Sequence, residues 1–164
     1  MELSVTQENF ARALSIVGRV ASSRAGLPIL GNVLLRTDGT RLLVAATNLE
    51  IAATCHIGAK IASQGEITLP ARLINDYISS LPKGAVNLTC KGTSMTISSG
   101  NYSSIMTGVD AAEFPELPSI DEKQAVIYTI AEADFKQAIN QTIITTSRDR
   151  KSTRLNSSHN QRSR

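Results

Sequence analysis

Two histidines, two cysteines and fourteen carboxylates are the side chains from which a catalytic or metal centre would have to be built. A Ser–His or Cys–His pair would have to use His56, because His159 lies in a polar terminal segment. The run 51–57 alternates like a strand, with Ile51, Ala53, Cys55 and Ile57 inward and Ala52, Thr54 and His56 outward. His56 therefore reads as a lone surface histidine. The acids stand singly along the chain apart from Asp121-Glu122, so no helix face carries paired carboxylates for acid–base work or for magnesium. Cys55 and Cys90 fall on the apolar sides of alternating runs and read as reduced, buried thiols of a cytosolic protein, without zinc spacing. Phosphate cradles, dinucleotide turns, zinc-protease helices and nucleophile elbows are missing from the sequence. The expectation is a protein that is not an enzyme and holds no cofactor or metal.

The side chains left with chemistry to offer are cations. Arg12, Arg19, Arg24, Arg72 and Lys83 lie on or beside two helical segments, and the chemistry they could do is to meet phosphates. The bland alternative is a solvated helix face with a Glu8–Arg12 pair. Net charge does not decide between them. The overall +3 divides unevenly: residues 1–148 hold 12 Lys/Arg against 13 Asp/Glu, while residues 149–164 hold 5 Lys/Arg against one Asp. The body is near neutral, so any nucleic-acid argument must rest on where its charges sit.

The elements that would position these cations are readable from periodicity. Glu2–Val5 reads as a strand and residues 7–22 as a helix, with Phe10, Ala13, Leu14, Val17 and Ala21 as its apolar stripe and Thr6 as N-cap. Arg12 and Arg19 then share one face about 10.5 Å apart. Strands are expected at Ile29–Thr37 and Arg41–Thr47, joined by the turn Asp38-Gly39, then at Ile51–Ile57 and Glu66–Leu69. A second helix follows Pro70, burying Leu73, Ile74, Tyr77, Ile78 and Leu81, with Arg72, Asn75, Asp76 and Ser79 wet; Pro82-Lys83-Gly84 stops it. Val86–Lys91, Ser94–Ser98 and Tyr102–Thr107 read as strands, and the proline-punctuated segment 114–118 as a connector. Aromatics are 4% of the chain, so the core must be aliphatic. The fold class expected is α+β, two helices on antiparallel sheets.

After the connector, Ala125–Ile130 reads as a strand and Glu132–Thr142 as a helix. Here the chain repeats itself: Val5–Leu14 aligns with Ile130–Ile139 at an offset of 125 residues, matching Phe10 to Phe135 and Ala13 to Ala138. Three segments are therefore expected: a first domain over 1–119, the start of a second, incomplete copy over 120–148, and a tail over 149–164. The tail has one aliphatic residue, Leu155, and cannot bury a face. Asp149–His159 resembles the in-frame translation of a sequencing-adapter oligonucleotide and is expected to be a disordered scar. The start of the chain lacks a basic n-region, and no apolar run approaches the length of a membrane-spanning helix. Neither secretion nor a membrane partner is therefore expected, and the expected localisation is cytoplasmic.

Four segments carry a resemblance to a known family. Arg24-Ala25-Gly26-Leu27-Pro28-Ile29-Leu30-Gly31-Asn32-Val33-Leu34-Leu35, Ala46-Thr47-Asn48-Leu49-Glu50-Ile51, Leu69-Pro70-Ala71-Arg72 and Ala111-Ala112-Glu113-Phe114-Pro115 resemble, in order and spacing, the first domain of bacterial sliding clamps, the beta subunits of the replicative DNA polymerase. The resemblance runs from Met1 to about Arg148. It implies a clamp fold and a head-to-tail dimeric ring of three-domain chains around double-stranded DNA, conferring processivity without catalysis. A clamp loader and polymerase would be met through a third domain that this chain lacks. It implies DNA contact by Arg24 and Arg72, which stand in the matching motifs. Arg12, Arg19 and Lys83 are placed facing DNA on helix geometry alone. Gly100–Ile105, where family members often carry basic residues near the dimer edge, is polar and uncharged here. Two other readings stand beside it: a stand-alone α+β binding module with solvated helix faces, and a small hydrolase or transferase with a cleft around His56. In a clamp, both helices lie side by side with the arginines on a common concave side.

Overall fold

The apolar runs and turn residues resolve, in a computed structural model that describes residues 1–21, 27–117, 126 and 128–143, into nine strands and three α-helices among those residues. The chain divides into two units, Met1–Ser119 and Ile120–Arg164. In the first, the order is β1 (Glu2–Thr6), α1 (Gln7–Val17), β2 (Asn32–Asp38), β3 (Arg41–Thr47), β4 (Ala52–Gly58), β5 (Lys60–Ser63), β6 (Glu66–Pro70), α2 (Ala71–Ser80), β7 (Ala85–Lys91), β8 (Ser94–Ser99) and β9 (Tyr102–Thr107). The strands form two sheets, β5-β1-β7-β8-β9 and β4-β3-β2-β6, antiparallel at each pairing.

The chain crosses between the sheets at Ala59, whose N–H donates to the Thr40 carbonyl (3.1 Å). The inner faces meet α1 and α2 in one aliphatic core: Leu3 and Val5 from β1, Val33 and Leu35 from β2, Leu42 and Val44 from β3, Val86 and Leu88 from β7, closed by Phe10, Leu14, Ile74 and Ile78. A smaller cluster on the other face of the second sheet joins Leu34, Leu43 and Ala45 to Ala111 and Phe114. Covering both faces explains why residues 33–35 of β2 and 42–46 of β3 are continuous apolar runs and not alternations.

Several expectations change. The helix expected over 7–22 ends at Val17, where Gly18, a poor helix former, takes the C-cap and its N–H donates to the Leu14 carbonyl (2.8 Å). Thr6 is the N-cap residue but makes no side-chain capping bond; the Gln7 N–H is satisfied instead by the Gly84 carbonyl (2.8 Å). The strand expected from Ile29 starts at Asn32, because Pro28–Gly31 forms a 3-10 turn. Ile51 and Leu73, expected inward, are exposed. Ile51 precedes β4 in a turn where the Asn48 Oδ1 accepts from the Glu50 and Ile51 N–H groups (3.0 and 2.9 Å). Leu73 lies about 100° round α2 from the stripe of Ile74 and Ile78. Strand β5 has no counterpart among the expected strands. Both thiols are free but half-buried, not fully buried.

In the second unit, α3 spans Glu132–Ile143, matching the expected helix to within a residue. Its Phe135 is exposed, whereas its repeat counterpart Phe10 is buried. The strand expected over 125–130 is not seen at the described residues Val126 and Tyr128–Ile130, which have no ladder partner among the described residues. The expected tail, 149–164, lies outside the described residues.

Candidate nucleic-acid interface

Helices α1 and α2 lie side by side and run antiparallel. The start of α1 meets the end of α2, where the buried Gln7 Nε2 donates to the Ile78 carbonyl (2.9 Å) and the Gln7 N–H to Gly84. At the opposite end, Leu14, Ser15 and Gly18 face Pro70, Ala71, Arg72 and Asn75 across an open groove of about 580 Å³. The groove also takes in Arg19 and Ala21 from the turn after α1. Each helix buries one stripe, Phe10, Ala13, Leu14 and Val17 in α1 and Ala71, Ile74 and Ile78 in α2, so their polar faces turn outward together.

The five predicted cations fall as follows. Arg19 and Arg72 line the same groove, although Arg19 stands past the helix end and not on a shared face with Arg12. Arg72, with a side chain 95% exposed, is in the first turn of α2, where unsatisfied amides add positive potential. Its Nε lies 3.8 Å from the Asp76 Oδ2, so the guanidinium is not held in a bidentate fork. Arg12 is exposed on α1, on the side away from Phe10. Lys83 lies at the other end of the helix pair, with Nζ 2.6 Å from the Glu8 Oε1. That contact holds the Glu8 carboxyl below its usual range, first through the hydrogen bond from Lys83 and then through the Lys83 charge, and it raises the Lys83 ammonium reciprocally. Arg24 lies outside the described residues.

Two features of this surface are not legible in the sequence. The first is Asn75, whose Oδ1 is buried in the groove wall without a hydrogen-bond partner among the described residues. A residue on a wet helix face gives no hint that its amide will be enclosed. The second is Lys83's pairing to Glu8, a contact between distant parts of the sequence that the Gln7–Gly84 bond brings about.

His56 does not have the isolation expected of it. Its Nε2 lies 3.7 Å from the Asp38 Oδ2, on the outer face of the second sheet beside Leu43. Both groups are well exposed, an arrangement for a weak surface pair and not for a general base in an enclosed cleft.

Known proteins share this geometry and sequence. Residues 1–118 match the family described as DNA polymerase III beta subunit, N-terminal domain. The beta sliding clamp of Synechococcus elongatus is 39% identical over 129 residues, covering 77% of this chain and 34% of that protein. The beta sliding clamp of Escherichia coli K12 is 31% identical over 144 residues, covering 87% of this chain and 39% of that one. In three dimensions, the Caulobacter crescentus pol III beta structure matches with a TM-score of 0.82 at 26% identity, over 92% of this chain and 40% of that one. The chain thus spans between a third and two fifths of the length of these curated relatives. With the helix pair, the two antiparallel sheets and these matches together, the chain belongs to the family of the DNA polymerase III beta subunit, N-terminal domain.

Proposed function

We propose that this chain supplies part of the wall of a DNA sliding clamp, a ring that encloses duplex DNA and tethers the replicative polymerase without chemistry of its own. The observation that carries this reading is the groove between α1 and α2, where Arg19 and Arg72 project together into open space. Phosphates repeat identically along any duplex, so exposed cations on a rigid helix pair attract DNA at every step alike, without reading bases. Near-neutral charge over residues 1–148 supports the same reading, since enclosure replaces affinity in a ring and strong attraction would impede sliding. Partners follow from the family: double-stranded DNA in the pore, a second copy head-to-tail in the ring, and clamp loader and polymerase through a domain outside this chain. No helix among the described residues is long and apolar enough to cross a membrane, and the proposed task places the protein in the bacterial cytoplasm with the chromosome.

Replacing Arg24 and Arg72 together by alanine tests the assignment. Two lost phosphate contacts reduce the steepness of log K against log salt by about two and weaken duplex binding at every sequence. An unchanged slope in the double variant would remove both residues from the DNA-facing surface.

A further inference from the structure

Two of the cations on this helix pair are not free, and their partners are acids on the same surface. Lys83 meets Glu8 at 2.6 Å, with side chains 83% and 56% exposed. Arg72 meets Asp76 at 3.8 Å, with side chains 95% and 65% exposed. Arg12 lies one helical turn from Glu8 and its charge reaches the same carboxylate. Arg19, in the groove with Arg72, forms no ion pair among the described residues.

Helix stability accounts poorly for Asp76. A cation in the first turn opposes the macrodipole, and an arginine preceding its acid at i,i+4 is the less favourable orientation. Glu8 and Lys83, distant in the sequence, are brought together by the Gln7 bonds to Gly84 and Ile78, a rigid connection that fixes where the pair sits. Both pairs stand in solvent, so each carboxylate can exchange its cation with a passing phosphate at little cost.

We propose that Glu8 and Asp76 moderate the attraction of this helix pair for duplex DNA: each carboxylate competes with phosphate for its cation, so that contacts are made and released as the DNA moves past. This rests on the reading of the groove as DNA-facing. Removing the acids should turn a surface tuned for sliding into one that grips. One charge about 4 Å away changes a cation's attraction in water by about fivefold, and each freed cation adds about one unit to the salt slope.

The test is equilibrium binding of the full chain to a labelled duplex of about 30 base pairs, titrated over about 20–200 mM salt. The variants are Glu8→Gln, Asp76→Asn, their combination, Arg72→Ala, and Glu113→Gln. The last removes the same charge from the 3-10 turn packed on the far face of the second sheet. The combined variant is expected to bind more than about tenfold tighter with a slope steeper by about two, while Glu113→Gln stays within about twofold of the parent. If the combined variant binds no tighter than Glu113→Gln while Arg72→Ala still weakens binding, the moderating role is wrong and the DNA-facing groove survives. If Arg72→Ala binds like the parent, the groove does not face DNA and the proposal falls with it. A gain in Glu113→Gln equal to that in Glu8→Gln or Asp76→Asn, each also the loss of one charge, would mean that net charge alone acts, which also overturns it.

Discussion

Lys83 and Glu8 show how one exposed contact sets two side chains' behaviour. The Lys83 ammonium donates to and attracts the Glu8 carboxylate, which lowers the Glu8 titration below the ordinary glutamate range. Such a depressed acid contributes stability that is present above its unfolded pKa and lost as pH falls through its lower folded value. Carboxyl titration followed by NMR should therefore put the Glu8 midpoint below that of an unpaired glutamate in the parent and move it upward in Lys83→Met. A midpoint indifferent to the lysine would mean the pair does not persist in solution. Lys83 is legible in the sequence as a cation at a helix stop. Its partner is not, because a contact so distant along the chain follows from packing of α1 on α2 and has no local pattern. Arg72 is legible through Leu69-Pro70-Ala71-Arg72, and Asp76 beside it only as part of a wet face.

At the scale of elements, burial periodicity carries most of the fold. The stripe of Phe10, Ala13, Leu14 and Val17 is buried as its spacing requires, and β7, β8 and β9 lie where turn residues bound them, the Gly39 turn closing β2 onto β3 at positive φ. Failures cluster at boundaries. Gly18 stops α1 where the apolar pattern runs on, and Lys60–Ser63 becomes β5 only because β1 offers an edge for Leu3 to face Ile61. Phe10 is fully buried in the core that the helices share with both sheets, so Phe10→Ala should cost about 3–5 kcal/mol in chemical denaturation. A loss under about 1 kcal/mol would show the helix to be loosely attached. Gly108 makes a different prediction. A Cβ there would collide with the Thr68 carbonyl oxygen and sit 2.9 Å from the Ile67 side chain, beside the bridge that ties Thr68 to Val109. Gly108→Ala should cost about 1–3 kcal/mol by forcing that bridge apart, and a neutral effect in the same assay would show the bridge to be dispensable.

For the whole molecule, the proposed role requires that cations from α1, α2 and the turn after α1 share one side of the first unit and meet phosphates there indifferently to sequence. The opposite side carries its own arginines, Arg36 paired to Glu66 on β2 and Arg41 at the start of β3, which share a sheet face with Leu34 and Leu43 and point away from the helices. They serve as internal references of equal charge. NMR titration of the guanidinium Nε–H signals with two duplexes of unrelated sequence tells the two sides apart. Arg12, Arg19 and Arg72 should shift together and alike with both duplexes, while Arg36 and Arg41 stay in place. Shifts confined to Arg36 and Arg41, or helix-side shifts with one duplex and not the other, would contradict a sequence-blind phosphate surface on the helix pair.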